Sequence, residues 1–396
     1  MSLRVVLWAS LALASVFAVQ VWQAGGMLYP DVWGFWTFGR YALTHAPATI
    51  YDDAALHAFQ AGLGIPDANG FYPYPYPPWF LLAVTPLGWL HYPAAALLWR
   101  AVTFGGLVLA LGAWRWPRDG HRDGHWDGHW DGHRDGHWDG HWDRALLLAV
   151  APACALSFVV GQNGFLTAAL MLGGVRLLPG RPVLGGALLG ALAYKPQFAV
   201  LVPFFLVFGG HWRALAGAAL AVALLTTATI LAFGAEIWPA WLHSMQEQAL
   251  TLTAGRTPKL DQMPTVTAAV QLLGGGAGLG HFVQGVAAMG ALAALWRGRP
   301  GLHPAVLPLA TLVATPYAFG YDLPVIAGAA LLAVRPGGSV VPPLHLPPLH
   351  LPPPADNSLR FLLLGCVLMP CAIAVPGAVV VLPVLFAVTL WRIVRR

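Results

Sequence analysis

Few residues in this sequence can do chemistry, and they are far apart. Asp31 is the first acid after the opening apolar run and stands beside Trp33, Phe35 and Trp36. A carboxylate among aromatic and apolar neighbours holds a proton more firmly than in water, which suits a proton acceptor. The plainer role is an interfacial acid that orients its loop. Asp52 and Asp53, farther along, read as better solvated. Lys195 stands in "GALLGALAYKPQFAVLVPFFLVF", between two apolar runs, where a charge at membrane depth costs roughly 2.5–3.5 kcal/mol. Pro196 breaks the helix there and frees backbone groups. A lysine at such a break either offers a compact point charge to a phosphate or snorkels to the interface. Gln162 and Asn163 in "GQN", and Tyr321 with Asp322 in "FGYD", are further polar breaks. The two amides suit a sugar's hydroxyls, or they cap helix ends.

Arg40 and Tyr74 in the first loop, and His243 in the loop 234–263, complete the candidate binding residues. Glu236, Glu247, Arg256 and Lys259 share the loop of His243, and no spacing singles one out. The chain holds no Walker loop, dinucleotide fingerprint or catalytic-triad signature. It also lacks an evident carboxylate cluster for a metal, so neither a metal nor another cofactor is expected.

The most conspicuous pattern is a four-residue repeat from Arg118 to Arg144, Arg or Trp followed by Asp-Gly-His. In a helix its histidines would fall on one stripe, a spacing that suits zinc. Glycine at every fourth position costs about 1 kcal/mol each relative to alanine, however, and no apolar face offsets that. The repeat is expected to be a disordered loop with no role in the reaction. A second low-complexity stretch, "PPLHLPPLHLPPP" at 342–354, reads as a stiff polyproline connector.

The elements that must position these residues are set by composition. The chain has 396 residues, 58% hydrophobic and 9% charged, with a mean hydropathy of +0.64. No soluble fold of this length hides so much apolar surface. The reading is a polytopic, all-α transmembrane bundle forming a single domain over 1–396, in contact with membrane lipids. The net charge of +5 reflects arginine in cytoplasmic loops and gives no support to nucleic-acid binding. Cys154, Cys366 and Cys371 lie in apolar segments and suggest packing rather than disulfides.

The apolar run 3–22 reads as a retained first helix, with Arg4 inside. Segments follow near 78–92, 94–114, 145–160, 164–178, 183–194, 197–209, 214–233, 279–296, 304–315, 323–334, 359–373 and 376–391. Several are too short to span about 30 Å, which suggests an internal polar cavity. Arginines at segment ends mark the inside and place "GQN", "YKPQ", the loop 234–263 and "YAFGYD" on the outer face with the first outer loop, 23–78. One stretch resists: two crossings between Trp79 and Arg115 would leave Arg115 outside.

The segments "PDVWGFWTFGRYALTHAPATIYD", "YPYPPWFLLAVTPLGWL", "GQNGFLTAALML", "LGGALLGALAYKPQFAVLVP" and "TPYAFGYDLPV", in this order, resemble glycosyltransferase family 87. These are integral-membrane enzymes of the GT-C class that include bacterial polyprenol-phosphate-mannose-dependent mannosyltransferases. The likeness runs from Asp31 to Val325, apart from the repeats. It implies a multi-pass plasma (inner) membrane protein with its site beneath the first outer loop. A hexose, expected to be mannose, would pass from a polyprenyl-phosphate donor to a lipid or glycan acceptor with inversion. By this likeness Asp31 matches the base and Lys195 the lysine-proline motif near the lipid phosphate. Other GT-C families often carry paired acids in this loop; here Asp31 stands alone beside Pro30. The rival reading is a lipid-linked-sugar flippase or transporter, which would show paired broken helices in two repeated halves. A metal-handling role for the tetrads is a third.

Overall fold

The computed structural model describes residues 31–64, 71–112, 152–253, 260–298, 305–333 and 378–394. The apolar run 3–22, the tetrad loop 118–144, the proline-rich stretch 342–354, Cys366 and Cys371 lie outside the described residues. Among the described residues every regular element is helical. That is the outcome lipid imposes, because a helix satisfies its own backbone hydrogen bonds. The protein is an all-α membrane protein.

Helix α1 (Asp31–Thr44) buries Val32, Trp33, Phe35, Phe38 and Tyr41. A 3₁₀ turn (Pro47–Tyr51) leads to α2 (Asp53–Gly62), whose N-terminus is capped by the Asp52 side chain. Gln60 of α2 donates to Thr37 Oγ1 at 3.3 Å and to the Tyr72 carbonyl at 3.0 Å, tying the aromatic strip back onto α1. The strip runs into α3 (Phe80–Val84), which continues as a 3₁₀ turn to Trp89. Gly39 and Gly88 let these two pieces meet backbone to backbone: a Cβ on Gly39 would lie 3.0 Å from the Gly88 nitrogen. Trp36 Nε1 closes the contact by donating to the Leu90 carbonyl at 3.0 Å.

This arrangement bears on the two segments expected between Trp79 and Arg115. Phe80–Trp89 spans about 15 Å, half of a hydrocarbon core, and packs along α1. Between Phe80 and Leu111, α4 (Tyr92–Leu111) alone is long and apolar enough to cross. Hydropathy could not separate two short stacked turns from a span.

After α4 come α5 (Pro152–Val160), α6 (Gly164–Leu177) and α7 (Pro182–Ala191), the last ending in a 3₁₀ turn to Tyr194. The chain breaks at Lys195 and resumes as α8 (Pro196–Ala199) and α9 (Val202–Phe208). Then follow α10 (Trp212–Phe233), α11 (Ile237–Thr253), α12 (Val266–Leu272), α13 (Ala277–Gly298), α14 (Val306–Ala314), α15 (Pro324–Ala333) and α16 (Val381–Val394). Among the described residues α4, α10 and α13 are long and apolar enough to cross a membrane. Helices α7 and α10 approach closely over small residues, and a Cβ on Gly190 would lie 2.8 Å from the Ala218 Cα. Such seams favour association where lipid leaves little hydrophobic drive.

Two buried clusters divide the molecule. One is rich in aromatic side chains and joins α1, the strip, α3 and the start of α4 to Tyr194, Phe233 and Ile237. The other is mainly aliphatic and fills the bundle from α4 to α16, Phe198 included. Tyr194 and Phe198 flank Lys195, so the break in the chain falls where the clusters meet.

Candidate functional site

The site is built around a loop of three residues between α5 and α6. Gly161 has a left-handed φ of +66°, a conformation open to glycine at little cost. A side chain there would also meet Val32, at 2.7 Å from its Cβ. The turn delivers Gln162 and Asn163, both buried, toward opposite neighbours.

Gln162 faces α1. Its Oε1 accepts the Asn163 backbone N–H at 3.2 Å, which turns its Nε2 outward to donate to Asp31 Oδ2 at 2.7 Å. Asp31 is half-buried at the first turn of α1, where the helix's backbone N–H groups favour a negative charge.

Asn163 faces the bundle. Its Oδ1 accepts from Lys195 Nζ at 3.0 Å and its Nδ2 donates to the Tyr76 hydroxyl at 2.9 Å. Behind it, its carbonyl accepts from Tyr194 Oη and Thr167 Oγ1, both at 3.2 Å. The Tyr194 and Thr167 hydroxyls are 2.6 Å apart.

Lys195 takes an extended conformation, φ −131° and ψ 80°, as the residue before a proline must. Pro196 thereby ends the 3₁₀ turn and swings the ammonium inward. Lys195 is 5% exposed, forms an ion pair with Asp322 Oδ1, and lies 5.2 Å from the Phe198 ring and 5.3 Å from the Tyr321 ring. Snorkelling does not describe this side chain. Asp322 is 1% exposed, and its second oxygen accepts the Phe319 N–H at 3.1 Å.

The 3₁₀ turn Gly320–Asp322 that presents this acid is clamped on both sides. Ser157 Oγ donates to the Tyr321 carbonyl at 2.6 Å. The same carbonyl lies against Gly164, where any Cβ would collide with it.

A second cation supports the loop from below. Arg100 of α4 donates to the carbonyls of Phe158 at 2.8 Å, Val159 at 3.0 Å and its own helix's Ala96 at 3.2 Å. The first two are end carbonyls of α5, which lack intrahelical partners and favour a positive charge. Among the described residues Arg100 has no carboxylate partner.

The structure thus brings together five of the residues singled out in the sequence, Asp31, Gln162, Asn163, Lys195 and Asp322, with Tyr321 against the lysine. Three others make their contacts elsewhere. Arg40 lies over the Trp36 ring at 5.3 Å. Tyr74 is buried in the aromatic cluster, its hydroxyl donating to the Pro77 carbonyl at 3.2 Å. His243 is exposed on α11, 3.8 Å from Glu247.

Tyr76, Thr167, Tyr194, Ser157 and Arg100 escaped the sequence reading. Tyr76 sits two positions from Tyr74 in a strip where every ring reads as interfacial, and Arg100 is lost inside an apolar helix. Among the described residues no three of His, Cys, Asp and Glu gather as metal ligands.

The arrangement pairs a half-buried carboxylate, bonded to Gln162, with a buried ion pair reached through Asn163, the next residue of the same loop. It can accept a proton at Asp31 and place polar hydrogens and a cation beside it. The model of glycosyltransferase family 87 matches residues 74–319, well over half the chain. No curated protein and no solved structure matches.

Proposed function

The chain belongs to glycosyltransferase family 87, and from that premise we propose that it moves a hexose, mannose in the first instance, from a polyprenyl-phosphate donor to a lipid or glycan acceptor. The transfer takes place on the extracytoplasmic face of the plasma membrane, in a multi-pass bundle. The observation that carries this reading is the loop Gly161–Asn163, which holds Asp31 through Gln162 and Lys195 through Asn163.

In the proposed step the acceptor hydroxyl gives its proton to Asp31 as its oxygen bonds to the anomeric carbon. The bond from that carbon to the phosphate oxygen breaks on the opposite face, and its electron pair leaves on the lipid phosphate. Inversion follows from this geometry. A phosphate leaving group needs no proton at neutral pH, so one base and nearby positive charge suffice. Two of the three Lys195 N–H groups face Asn163 and Asp322, which leaves the third for a phosphate oxygen. Asp322 cancels much of the lysine's charge, so that contact is a directed hydrogen bond more than a long-range attraction.

The test supplies purified protein with radiolabelled polyprenyl-phosphate mannose and a panel of acceptors. Label transferred by wild type and lost in Asp31→Asn supports the reading. Lipid-sugar movement across vesicles without transfer overturns it in favour of a flippase.

A further inference from the structure

Tyr76 occupies the centre of the site, and none of the roles above uses it. Its hydroxyl accepts from Asn163 Nδ2 at 2.9 Å, and Asn163 is the residue between the Gln162 that holds Asp31 and the Lys195 ammonium. A phenol that accepts one hydrogen bond still has its own proton to donate. Among the described residues no acceptor takes it.

The ring is fixed on several sides: centroid distances are 4.2 Å to Phe80, 5.9 Å to Phe35, 5.8 Å to Tyr74 and 6.5 Å to Tyr194. The Tyr51 hydroxyl also donates to the Tyr76 carbonyl at 2.7 Å. The hydroxyl is therefore a rigid, half-buried donor with an unfilled direction. Burial, together with neighbouring Tyr194, Asp31 and Asp322, raises its pKa well above the usual value, so the proton stays in place.

The kind of group that fills that direction follows from the charges around it. Asp31 and Asp322 both act on Tyr76, the lysine beside it is already paired, and Gln162 and Asn163 are neutral. A phosphate would add negative charge beside Asp31 and Asp322, both of which act on the phenol, whereas a sugar hydroxyl accepts from the phenol and carries no charge. We infer that Tyr76 donates a hydrogen bond to the hexose ring of the donor, and so reads the sugar between the base and the phosphate. This inference rests on the transferase reading for the identity of the donor, but its measurement is separate.

The test measures binding to three ligands: polyprenyl-phosphate mannose, polyprenyl-phosphate glucose and bare polyprenyl phosphate. The proteins are wild type and Tyr76→Phe, which removes one oxygen and keeps the ring. Wild type is expected to prefer at least one sugar-loaded lipid over the bare one. In Tyr76→Phe that affinity falls roughly 2- to 12-fold, the worth of one hydrogen bond, while affinity for the bare lipid phosphate stays near wild type. A modest drop in melting temperature is expected, because buried Asn163 Nδ2 loses its acceptor.

Equal affinities for the sugar-loaded lipid in both proteins overturn the inference. So do equal losses for loaded and bare lipid, which would mark a packing or phosphate role, and so does a wild type with no preference for either sugar. If the differential loss is seen but wild type transfers no sugar to any acceptor, the sugar contact stands and the transferase reading falls alone.

Discussion

Asp322 and Asp31 are both tied to the same loop, yet their surroundings are opposite. Asp322 is 1% exposed, and its oxygens take an ammonium and a backbone N–H. Asp31 is half-buried and accepts from the neutral amide of Gln162. The difference separates holding from reacting. A carboxylate locked in a buried ion pair cannot gain a proton without stranding its partner, so Asp322 is suited to fix Lys195 and the turn at 320–322. A partly exposed carboxylate that accepts from a neutral amide can take a proton without stranding a charge on that amide. Residue type alone does not make that division; burial and partners do.

The largest effect is expected from breaking the buried pair. Lys195→Met leaves Asp322 charged and unpartnered, which costs roughly 3–5 kcal/mol. The sequence alone suggests that removing a charge at membrane depth eases insertion. The buried partner reverses the sign. Thermal unfolding in detergent should show a lower midpoint for Lys195→Met, partly restored when Asp322→Asn is added. An unchanged midpoint in the single variant would mean that the pair does not hold this end of the bundle.

A smaller loss is expected one layer below. Arg100→Met orphans the Phe158 and Val159 carbonyls, at roughly 1–3 kcal/mol for a buried polar group left unsatisfied, and loosens the turn that carries Gln162. Transfer should fall with stability, and Arg100→Lys should recover only part, because an ammonium cannot span both carbonyls as the guanidinium does. Full activity in Arg100→Met would detach the loop from α4.

How far the sequence could foresee this depends on the range of the contact. Lys195 was visible because a lysine followed by proline is conspicuous in apolar surroundings, and Asp31, Gln162, Asn163 and Asp322 because each interrupts an apolar run. That Asp322 neutralises Lys195 was not visible, since 127 positions separate them and no periodicity links such pairs. The helical character of the chain followed from its composition. The packing of the short segment Phe80–Trp89 against α1 did not, because it depends on Gly39 meeting Gly88, a contact between backbones that hydropathy does not encode.

Gln162→Ala tests the lighter restraint on Asp31. It removes a hydrogen bond to a carboxylate, typically worth about 1.5–3 kcal/mol, and the acceptor of the Asn163 N–H. It should slow transfer roughly ten-fold with a smaller drop in melting temperature than Lys195→Met. A fall in stability as large as that of Lys195→Met would put both acids in the same structural role.

The smallest effects are expected outside the loop. His243→Ala removes an exposed side chain 3.8 Å from Glu247, and a surface change of that kind shifts stability by about 0.5 kcal/mol at most. Excising 118–142 should leave expression and transfer nearly intact, since the tetrads have no apolar face to bury. A zinc-dependent activity that disappears with the repeat would contradict this.

The division between the two acids is tested most directly by measuring sugar transfer and thermal midpoint together for Asp31→Asn and Asp322→Asn. If Asp31 is the base, Asp31→Asn keeps the wild-type midpoint and loses about 10²- to 10⁴-fold in turnover, the usual contribution of a general base. Asp322→Asn leaves Lys195 charged without its counter-ion and lowers the midpoint as well. Wild-type turnover in Asp31→Asn, or a midpoint that falls in Asp31→Asn and not in Asp322→Asn, would contradict the account.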